Sequence, residues 1–279
     1  MIDRVLLNAG SPVSTWGNLG LWTQASQDYP SACRALAVRL AQQAQLNPGC
    51  SVLDVGFGYG DQLLVWKQQF KVGRITGFEI DAAAVAHARS RLVEFADVSL
   101  DLAQGDLRTI TERYDRVLAL DCAYHFASRN DFFAMAASTL HPGGMLALTD
   151  IVLADGEDSA DYVWLAKACG IAPQNLGTQR VYAQSLVDLG FCDIRFEHLD
   201  GQVLLGFSRF VLRLLLSRGV SLLTAGGLKI LATAVIAAWL GRKKKVHYTL
   251  VSACRPEILR ATASPEVTAL SSKGTPEAA

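Results

Sequence analysis

The sequence predicts a doubly wound α/β fold, in which helices cover both faces of a largely parallel sheet. Between Ser51 and Ile151, short apolar runs alternate with longer amphipathic ones, which is typical of βαβ units. The first apolar run leads into a glycine-rich turn that opens a helix. The 279 residues are 51% hydrophobic and 19% charged, which provides enough apolar surface for a large core. Ligands of such sheets bind at the carboxyl ends of the strands.

The elements follow in chain order, beginning with a helix at 34–45 that precedes the first strand. Hydrophobic patterning predicts strands at 51–55, 74–79, 98–103, 116–121, 145–150, 193–198 and 246–253. It predicts further helices at 61–70, 82–95, 130–140 and 179–189. The His141-Pro-Gly-Gly144 motif is a stop signal that ends a helix before the fifth strand.

Charge and cysteine content narrow the function classes. The 26 basic and 26 acidic residues cancel, whereas nucleic-acid binding needs a clear excess of Lys and Arg. The six cysteines are scattered without CxxC pairs or metal-ligand spacing, which indicates reduced thiols in a cytoplasmic protein. The N-terminus shows no signal-peptide pattern, and no metal is expected. The expected partner is a small molecule.

The glycine-rich turn is the first candidate binding element. Gly56, Gly58 and Gly60 allow a tight turn and a close approach to a ligand, and the next helix presents N–H donors at its N-terminus. The GxGxG spacing differs from the GxGxxG fingerprint of dinucleotide sites, which disfavours a pyrophosphate cofactor. Taken alone, the motif is weak evidence for a ligand, because an ordinary tight βα turn has the same pattern.

Acidic residues end the next strands. Glu79, about 25 positions after Asp54, can accept hydrogen bonds from both hydroxyls of a ribose. Asp106 follows the third strand, where it can accept from an adenine amino group, and Asp121 ends the fourth strand. Each feature is ordinary by itself. The glycine-rich turn, Glu79, Asp106 and Asp121 are not ordinary in this order at successive strand ends, where together they indicate a nucleoside-containing ligand.

Together, these motifs resemble the class I S-adenosylmethionine-dependent methyltransferases over residues 47–153. The resemblance implies a Rossmann-like sheet of seven strands with an antiparallel last strand, and S-adenosylmethionine as the cofactor. It implies that Glu79 holds the ribose, that Ile80 covers the adenine and that Asp121 lies near the cofactor's amino group. Asp106, with Leu107 beside it, would bind the adenine amine. The methionine part would be flanked by Asp54, Gly56, Gly58 and Gly60.

Two further motifs resemble one branch of this family. Asn18-Leu-Gly-Leu-Trp22 and Asp121-Cys-Ala-Tyr-His-Phe126 are similar to the branch that methylates natural products, with tocopherol and sterol C-methyltransferases as neighbours. In its O-methylating members, a His at the place of His125 is the general base, supported by an Asp that corresponds to Asp150. A neutral imidazole suits proton removal from a hydroxyl near pH 7. A structural histidine and a strand-end carboxylate are the alternative.

Aromatic residues near the expected site have two interpretations. Trp16, Trp22 and Tyr124 are expected to line the substrate site or its lid, together with Tyr29. The alternative for the N-terminal aromatic residues is ordinary packing on the sheet. Cys122 has no basic neighbour in the sequence and is interpreted as a pocket-lining thiol.

Residues 203–240 form an apolar segment without an acidic residue. They contribute roughly +58 of a total hydropathy of roughly +64, so the rest of the chain is close to neutral. Three interpretations stay open: a helical lid over the acceptor pocket, an amphipathic element on a lipid surface, or a transmembrane helix at 220–240. Lys229 and the Gly226-Gly227 pair count against the last.

The predicted organisation is an N-terminal lid and first helix at 1–46, a methyltransferase domain at 47–255 and a flexible tail at 256–279. The predicted function is methyl transfer to a hydroxyl of a lipophilic small molecule or secondary metabolite. C-methylation of a quinone, tocopherol-like or isoprenoid acceptor is the alternative reaction. A catalytically silent cofactor-binding partner is the alternative outside enzymes. Peripheral membrane contact through 203–245 is a further expectation, and the oligomeric state is left open.

Overall fold

One mixed sheet of seven strands organises the part of the chain that the structure describes. This computed structural model describes residues 3–9, 11, 14–102, 110–218 and 224–257. The strands are β1 (Ser51–Val55), β2 (Arg74–Glu79), β3 (Val98–Leu102), β4 (Tyr114–Ala119), β5 (Leu140–Leu153), β6 (Cys192–His198) and β7 (Val246–Cys254). Their order is β3-β2-β1-β4-β5-β7-β6, and β7 runs antiparallel to both of its neighbours. The predicted fold class is confirmed, including the antiparallel last strand.

Helices connect these strands and flank the sheet. They are α1 (Arg4–Leu7), α2 (Tyr29–Gln43), α3 (Asp61–Gln68), α4 (Ala82–Arg91), α5 (Arg129–Thr139), α6 (Val163–Cys169), α7 (Gln179–Asp188), α8 (Leu204–Arg218) and α9 (Ala225–Lys243). Short 3-10 turns lie at 123–125, 159–162 and 173–175. Helix α2 starts before its predicted position, because Asp28 and Ser31 form a capping box and Pro30 suits the first turn.

The His141-Pro-Gly-Gly144 motif ends α5 as predicted, but β5 begins at once instead of after the motif. Gly143 N–H donates to the Arg255 carbonyl (3.0 Å), and Arg255 N–H donates to the Gly144 carbonyl (2.8 Å). These two bonds draw the motif into the sheet beside the end of β7. The stop signal therefore ends the helix without forming a separate loop.

Apolar clusters cover both faces of the sheet. Because successive strand residues point to opposite faces, Val52 joins the cluster built with α2 and α3, whereas Leu53 joins the cluster built with α5 and α7. Both side chains are fully buried, as is Trp66 of α3 on the first face. The packed faces hold the strand ends, and the side chains that follow them, in fixed positions.

Helices α8 and α9 form a hairpin between β6 and β7 and correspond to the apolar segment 203–240. Ser208 Oγ donates to the Ala234 carbonyl (2.8 Å), and Gly241 lies against Leu205. Helix α9 is long and apolar enough to cross a membrane by length and composition, but 33% of that stretch is buried. The β7 strand that follows α9 is paired along its length with β5. This pairing contradicts the transmembrane interpretation.

Candidate active site

A cavity of about 540 Å³ opens at the carboxyl ends of β1, β2 and β4. Its first part, here called the loop side, is formed by the glycine-rich turn and the strand ends. Its second part, here called the lid side, is formed by α6 and α9. Residues of the loop side include Gly56, Gly58, Glu79 and Asp121. Residues of the lid side include Cys169, Lys229, Ala232, Thr233, Ile236 and Leu240.

The three glycines of the turn differ in what they face. All three have positive φ, at 79° for Gly56, 58° for Gly58 and 91° for Gly60. A Cβ at Gly56 would come within 2.6 Å of the Cys122 sulfur, and a Cβ at Gly60 within 2.9 Å of the Ala88 Cβ. A Cβ at Gly58 would meet no atom within 4 Å. The outer two glycines therefore serve packing, whereas Gly58 presents bare backbone to the cavity.

Glu79 organises the loop side from the end of β2. Its Oε2 accepts from Gly58 N–H (2.7 Å), and its Oε1 accepts from Ile80 N–H (2.7 Å) and Asp81 N–H (3.1 Å). A carboxylate offers about four lone-pair sites, so acceptor capacity remains toward the cavity. The same side chain thus fixes the turn and is placed to bind a ligand's hydroxyls.

Asp54 lies behind the cavity wall rather than on it. It is fully buried, and it accepts from Gln62 Nε2 (2.9 Å) and from Trp66 Nε1 (2.6 Å). Gln62 itself lines the cavity. Burial raises the pKa of Asp54 to about 6, although the bonds from Trp66 and Gln62 oppose that rise. Asp54 therefore acts on the site through Gln62.

Substitution of Asp54 is expected to change how stability depends on pH. The pKa of this carboxyl is about 6 when folded and near 3.8 when unfolded, so stability is higher below pH 4 and is lost as the pH rises through 6. Asp54→Asn removes this loss. The free energy of unfolding of the variant relative to wild type is expected to gain about 2–3 kcal/mol between pH 4.5 and 7.5 in urea titrations. If the difference in free energy of unfolding between the variant and wild type did not depend on pH, the raised pKa of Asp54 would be wrong.

Asp121 joins the loop side to the N-terminal segment. Its backbone has a positive φ of 56°. Its Oδ2 accepts from Leu19 N–H (2.8 Å), and its Oδ1 accepts from the hydroxyls of Tyr124 (2.9 Å) and Tyr248 (2.7 Å). Burial raises its pKa, although these bonds oppose the rise. The carboxylate thereby fixes the N-terminal segment, whose Trp16 lines the cavity.

His125 lies in the 3-10 turn after β4 and connects the two sides of the cavity. Its Nδ1 is 2.9 Å from the carbonyl oxygen of Gly170, the residue that follows α6. A carbonyl oxygen can only accept, so Nδ1 carries the proton and Nε2 of the neutral ring keeps its lone pair. The ring lines the cavity and lies 4.3 Å from the Tyr124 ring, centroid to centroid.

Asp150 does not support His125, contrary to the expectation from the sequence. Its Oδ2 accepts from Arg129 Nη1 (3.0 Å) and from the Tyr182 hydroxyl (3.1 Å). The reason is strand alternation: Thr149 accepts from Asp121 N–H (2.7 Å) on the cavity face, so its neighbour points to the opposite face. Asp150 belongs to a buried ion pair, and the Gly170 carbonyl takes the place expected for it.

The other residues expected at the site lie in different places. Trp16, Tyr124 and Cys122 line the cavity. Trp22 instead stacks on Phe210 of α8 at 4.6 Å, and Tyr29 is buried against the same ring. Ile80 is 82% exposed beside Glu79. Asp106 and Leu107 lie outside the described residues.

Several residues at or behind the cavity were not expected from the sequence. Arg4 places its guanidinium 3.3 Å from the Tyr59 ring centroid above the glycine-rich turn. Tyr248 of β7 reaches Asp121 from across the sheet. The alternation of β7 gave a signal for Tyr248, because residues two apart on a strand share a face. Contacts of Arg4 and α9 depend on tertiary packing, for which the sequence carries no local pattern.

Comparison with known proteins shows what the part of the chain around this cavity is similar to. Residues 52–144 match the sequence model of a methyltransferase domain family. Residues 52–144 of the chain form a methyltransferase domain. S-adenosylmethionine is the cofactor of such domains, and the loop side fits it: Gly58 leaves open space, and Glu79 keeps acceptor capacity for two ribose hydroxyls.

Two curated relatives are similar to this chain. Erythromycin 3''-O-methyltransferase of Saccharopolyspora erythraea is 33% identical over 199 residues, which are 67% of this chain and 65% of that protein. The 27-O-demethylrifamycin SV methyltransferase of Amycolatopsis mediterranei is 32% identical over 151 residues, 50% of this chain and 53% of that protein. The matched region thus spans between half and two thirds of these relatives.

Solved structures show the same fold at low identity. A sarcosine dimethylglycine methyltransferase from Galdieria sulphuraria superposes with a TM-score of 0.73 at 19% identity, covering 86% of this chain and 93% of that one. Geranyl diphosphate C-methyltransferase from Streptomyces coelicolor reaches 0.71 at 16% identity, covering 91% and 93%. The cyclase SpnF reaches 0.68 at 21% identity, covering 90% and 92%. These similarities establish the fold and leave the reaction to the site itself.

Proposed function

We propose that the protein transfers the methyl group of S-adenosylmethionine to a hydroxyl of a lipophilic small molecule. The observation that carries the proposal is His125, whose ring lines the cavity between the loop side and the lid side and whose Nδ1 is held by the Gly170 carbonyl, which leaves Nε2 for the acceptor. When bound, the cofactor supplies a methyl group already activated by its sulfonium. The chain must then align the acceptor and remove one proton.

The proton from the acceptor hydroxyl goes to Nε2 of His125. Nδ1–H of the same ring stays bonded to the Gly170 carbonyl, which partly balances the imidazolium charge and fixes the ring. Gly170 adopts φ 65° as the C-cap of α6, a backbone conformation that aims its carbonyl at the ring. Thus α6 replaces the carboxylate partner that the sequence suggested.

The lid side supports a lipophilic acceptor. Its wall on α9 presents Ala232, Ile236 and Leu240, with Leu204 of α8 beside them. Lys229 is the cation that α9 contributes to this wall among the described residues. The two natural-product O-methyltransferases, named for erythromycin and rifamycin, support an acceptor of that class.

We assign residues 47–255 to the catalytic domain and residues 1–46 to its N-terminal lid. We further propose that the protein is cytoplasmic and contacts membranes peripherally.

The test is transfer of a ¹³C-labelled methyl group from S-adenosylmethionine to two probes. A 3''-O-demethyl erythromycin offers a sugar hydroxyl, and geranyl diphosphate offers an alkene carbon. We expect a labelled methoxy carbon in the macrolide, detected by NMR and by product mass. A labelled methyl on carbon in geranyl diphosphate, with none in the macrolide, would replace O-methylation with C-methylation.

Filling the lid side is expected to weaken acceptor binding selectively. Ile236→Trp places a large ring in the cavity wall, where it takes space that the acceptor needs. The KM for the acceptor is expected to rise about 10-fold or more, which corresponds to about 1.4 kcal/mol of lost binding, while the Kd for S-adenosylmethionine stays within 2-fold. Leu228→Trp, at an exposed position of the same helix, is the matched control. Equal effects of the two variants on KM would show that the cavity wall does not contact the acceptor.

A further inference from the structure

The α8–α9 hairpin concentrates positive charge. Residues 203–245 contain eight Lys and Arg residues and no Asp or Glu, which leaves 18 basic and 26 acidic residues in the rest of the chain. A protein without net charge thus carries one strongly basic element and an acidic body. Such an arrangement favours an anionic surface as the partner of the hairpin.

The outer face of the hairpin is apolar as well as basic. Leu216 of α8 is 79% exposed, and Val235 of α9 is 70% exposed. Leu212 and Trp239 are also exposed on these helices. Large apolar side chains that face water beside cations are typical of helices that lie in the interface of a bilayer.

A groove of about 320 Å³ runs between α8 and α9, separate from the catalytic cavity. Its walls are almost entirely apolar, because the Ser208 hydroxyl is hydrogen-bonded to the carbonyls of Leu204 and Ala234. Two arginines line it as well. The side chains that form it are Leu205, Arg209, Leu212, Leu215, Leu231 and Arg242.

Arg242 lies at one end of the groove, and Arg209 lies about one helical turn farther along it. Gly241 packs against Leu205, so the end of α9 lies beside the start of α8. Arg242 follows Gly241, and Arg209 lies one turn after Leu205. Neither arginine forms an ion pair with an acidic residue that the structure describes. Arg242 donates to the Ala238 carbonyl of its own helix (3.3 Å). An apolar channel with a cationic end matches an acyl chain below an anionic headgroup.

We infer that the outer face of the α8–α9 hairpin is a docking site for the anionic phospholipid surface of a membrane. The guanidinium groups of Arg209 and Arg242 hold a lipid phosphate, and the groove takes part of one acyl chain. This inference rests on the proposed function, and it also explains how a lipophilic acceptor reaches the cavity. One side of α9 lines the catalytic cavity and the other meets the bilayer, so a lipophilic acceptor dissolved in the membrane reaches the lid directly.

The test is co-sedimentation of the full chain with phosphatidylglycerol vesicles and with phosphatidylcholine vesicles. We expect binding to phosphatidylglycerol at low salt, loss of binding as salt rises, and at least 10-fold weaker binding to phosphatidylcholine. Arg209→Gln with Arg242→Gln is expected to weaken binding about 20-fold. Arg180→Gln with Arg195→Gln removes the same charge at exposed sites outside the hairpin and is expected to retain wild-type binding within 2-fold.

The apolar contact is tested by a second variant and a spectroscopic probe. Leu216→Gln with Val235→Gln is expected to reduce vesicle binding by 10-fold or more, because both side chains leave water on docking. In Leu216→Trp, the new ring at the exposed outer face is expected to be quenched by brominated acyl chains beyond the quenching seen in the wild-type protein. Absence of this added quenching in bound protein would overturn insertion of this face.

Failure of the docking inference can be told apart from failure of the proposed function. A chain that binds S-adenosylmethionine but not phosphatidylglycerol vesicles overturns docking alone. Equal binding to both vesicles, or equal losses in the two arginine pairs, also overturns it. A dimer in light scattering that buries this face and prevents vesicle binding shows that a second copy is the occupant. Vesicle binding without cofactor binding leaves docking in place and removes the catalytic proposal.

Discussion

Glu79→Ala is expected to lower the affinity for S-adenosylmethionine by about 100-fold or more. In the proposed site, Glu79 accepts from two ribose hydroxyls, and each hydrogen bond to a charged group contributes about 1.5–3 kcal/mol, so the substitution removes both contributions. It also releases Gly58, whose N–H donates to Glu79 Oε2 at 2.7 Å, so the turn loses its anchor. Isothermal calorimetry measures the change directly.

Two controls make this result specific to the site. Glu94→Ala removes an exposed carboxylate outside the cavity and is expected to leave the Kd unchanged within 2-fold. Glu79→Gln keeps one acceptor oxygen but cannot accept on both sides, so an intermediate loss is expected. Thermal unfolding confirms that each variant is folded. If folded Glu79→Ala bound the cofactor within 3-fold of wild type, the assignment of the ribose to Glu79 would be wrong.

His125→Ala is expected to lower kcat by about 100- to 1000-fold, the range that general-base catalysis typically contributes. The Kd for S-adenosylmethionine should stay within 3-fold, because the ring accepts a proton and holds no part of the cofactor in this account. Added imidazole should restore part of the activity, since His125 is exposed at the cavity and its removal leaves an open space. Single-turnover transfer to the macrolide probe measures the effect.

Comparison variants separate the base from its surroundings. His141→Ala removes an exposed imidazole outside the cavity and should retain full kcat. Asp150→Asn should lower stability, because Arg129 then loses its buried partner, yet leave kcat of the folded protein within a few fold. Near-full kcat in His125→Ala would refute the base role. A 100-fold loss of kcat in folded Asp150→Asn would instead support Asp150 as the partner of His125.

Local sequence patterns predicted the loop side well. The glycine-rich turn and the acidic ends of β2 and β4 depend on strand order and on residues within one βαβ unit. Parallel strands bring their carboxyl ends to one edge, so Gly58, Glu79 and Asp121 could be placed together without tertiary information. The alternating pattern of β7 predicted a strand, and its antiparallel direction was implied by the family resemblance alone.

The lid side could not be predicted in the same way. Asp150 was misplaced because a motif gives a position on a strand but not the face, and a shift of one residue reverses the side chain. Its neighbour Thr149 faces the cavity region instead. The bond between His125 and the Gly170 carbonyl joins residues 45 positions apart through a helix that had no predicted counterpart. Composition revealed that 203–240 is apolar, but only packing shows that one side of α9 closes the cavity.

The most direct test of the central claim is a crystal structure of the chain with S-adenosylhomocysteine. We expect the ribose hydroxyls on the carboxylate of Glu79, the ligand backbone against Gly58, and the sulfur facing the lid side near His125 Nε2. A ligand in this cavity whose ribose does not contact Glu79, or whose sulfur faces away from α9, would contradict the division into a loop side and a lid side. A ligand bound elsewhere would contradict the site as a whole.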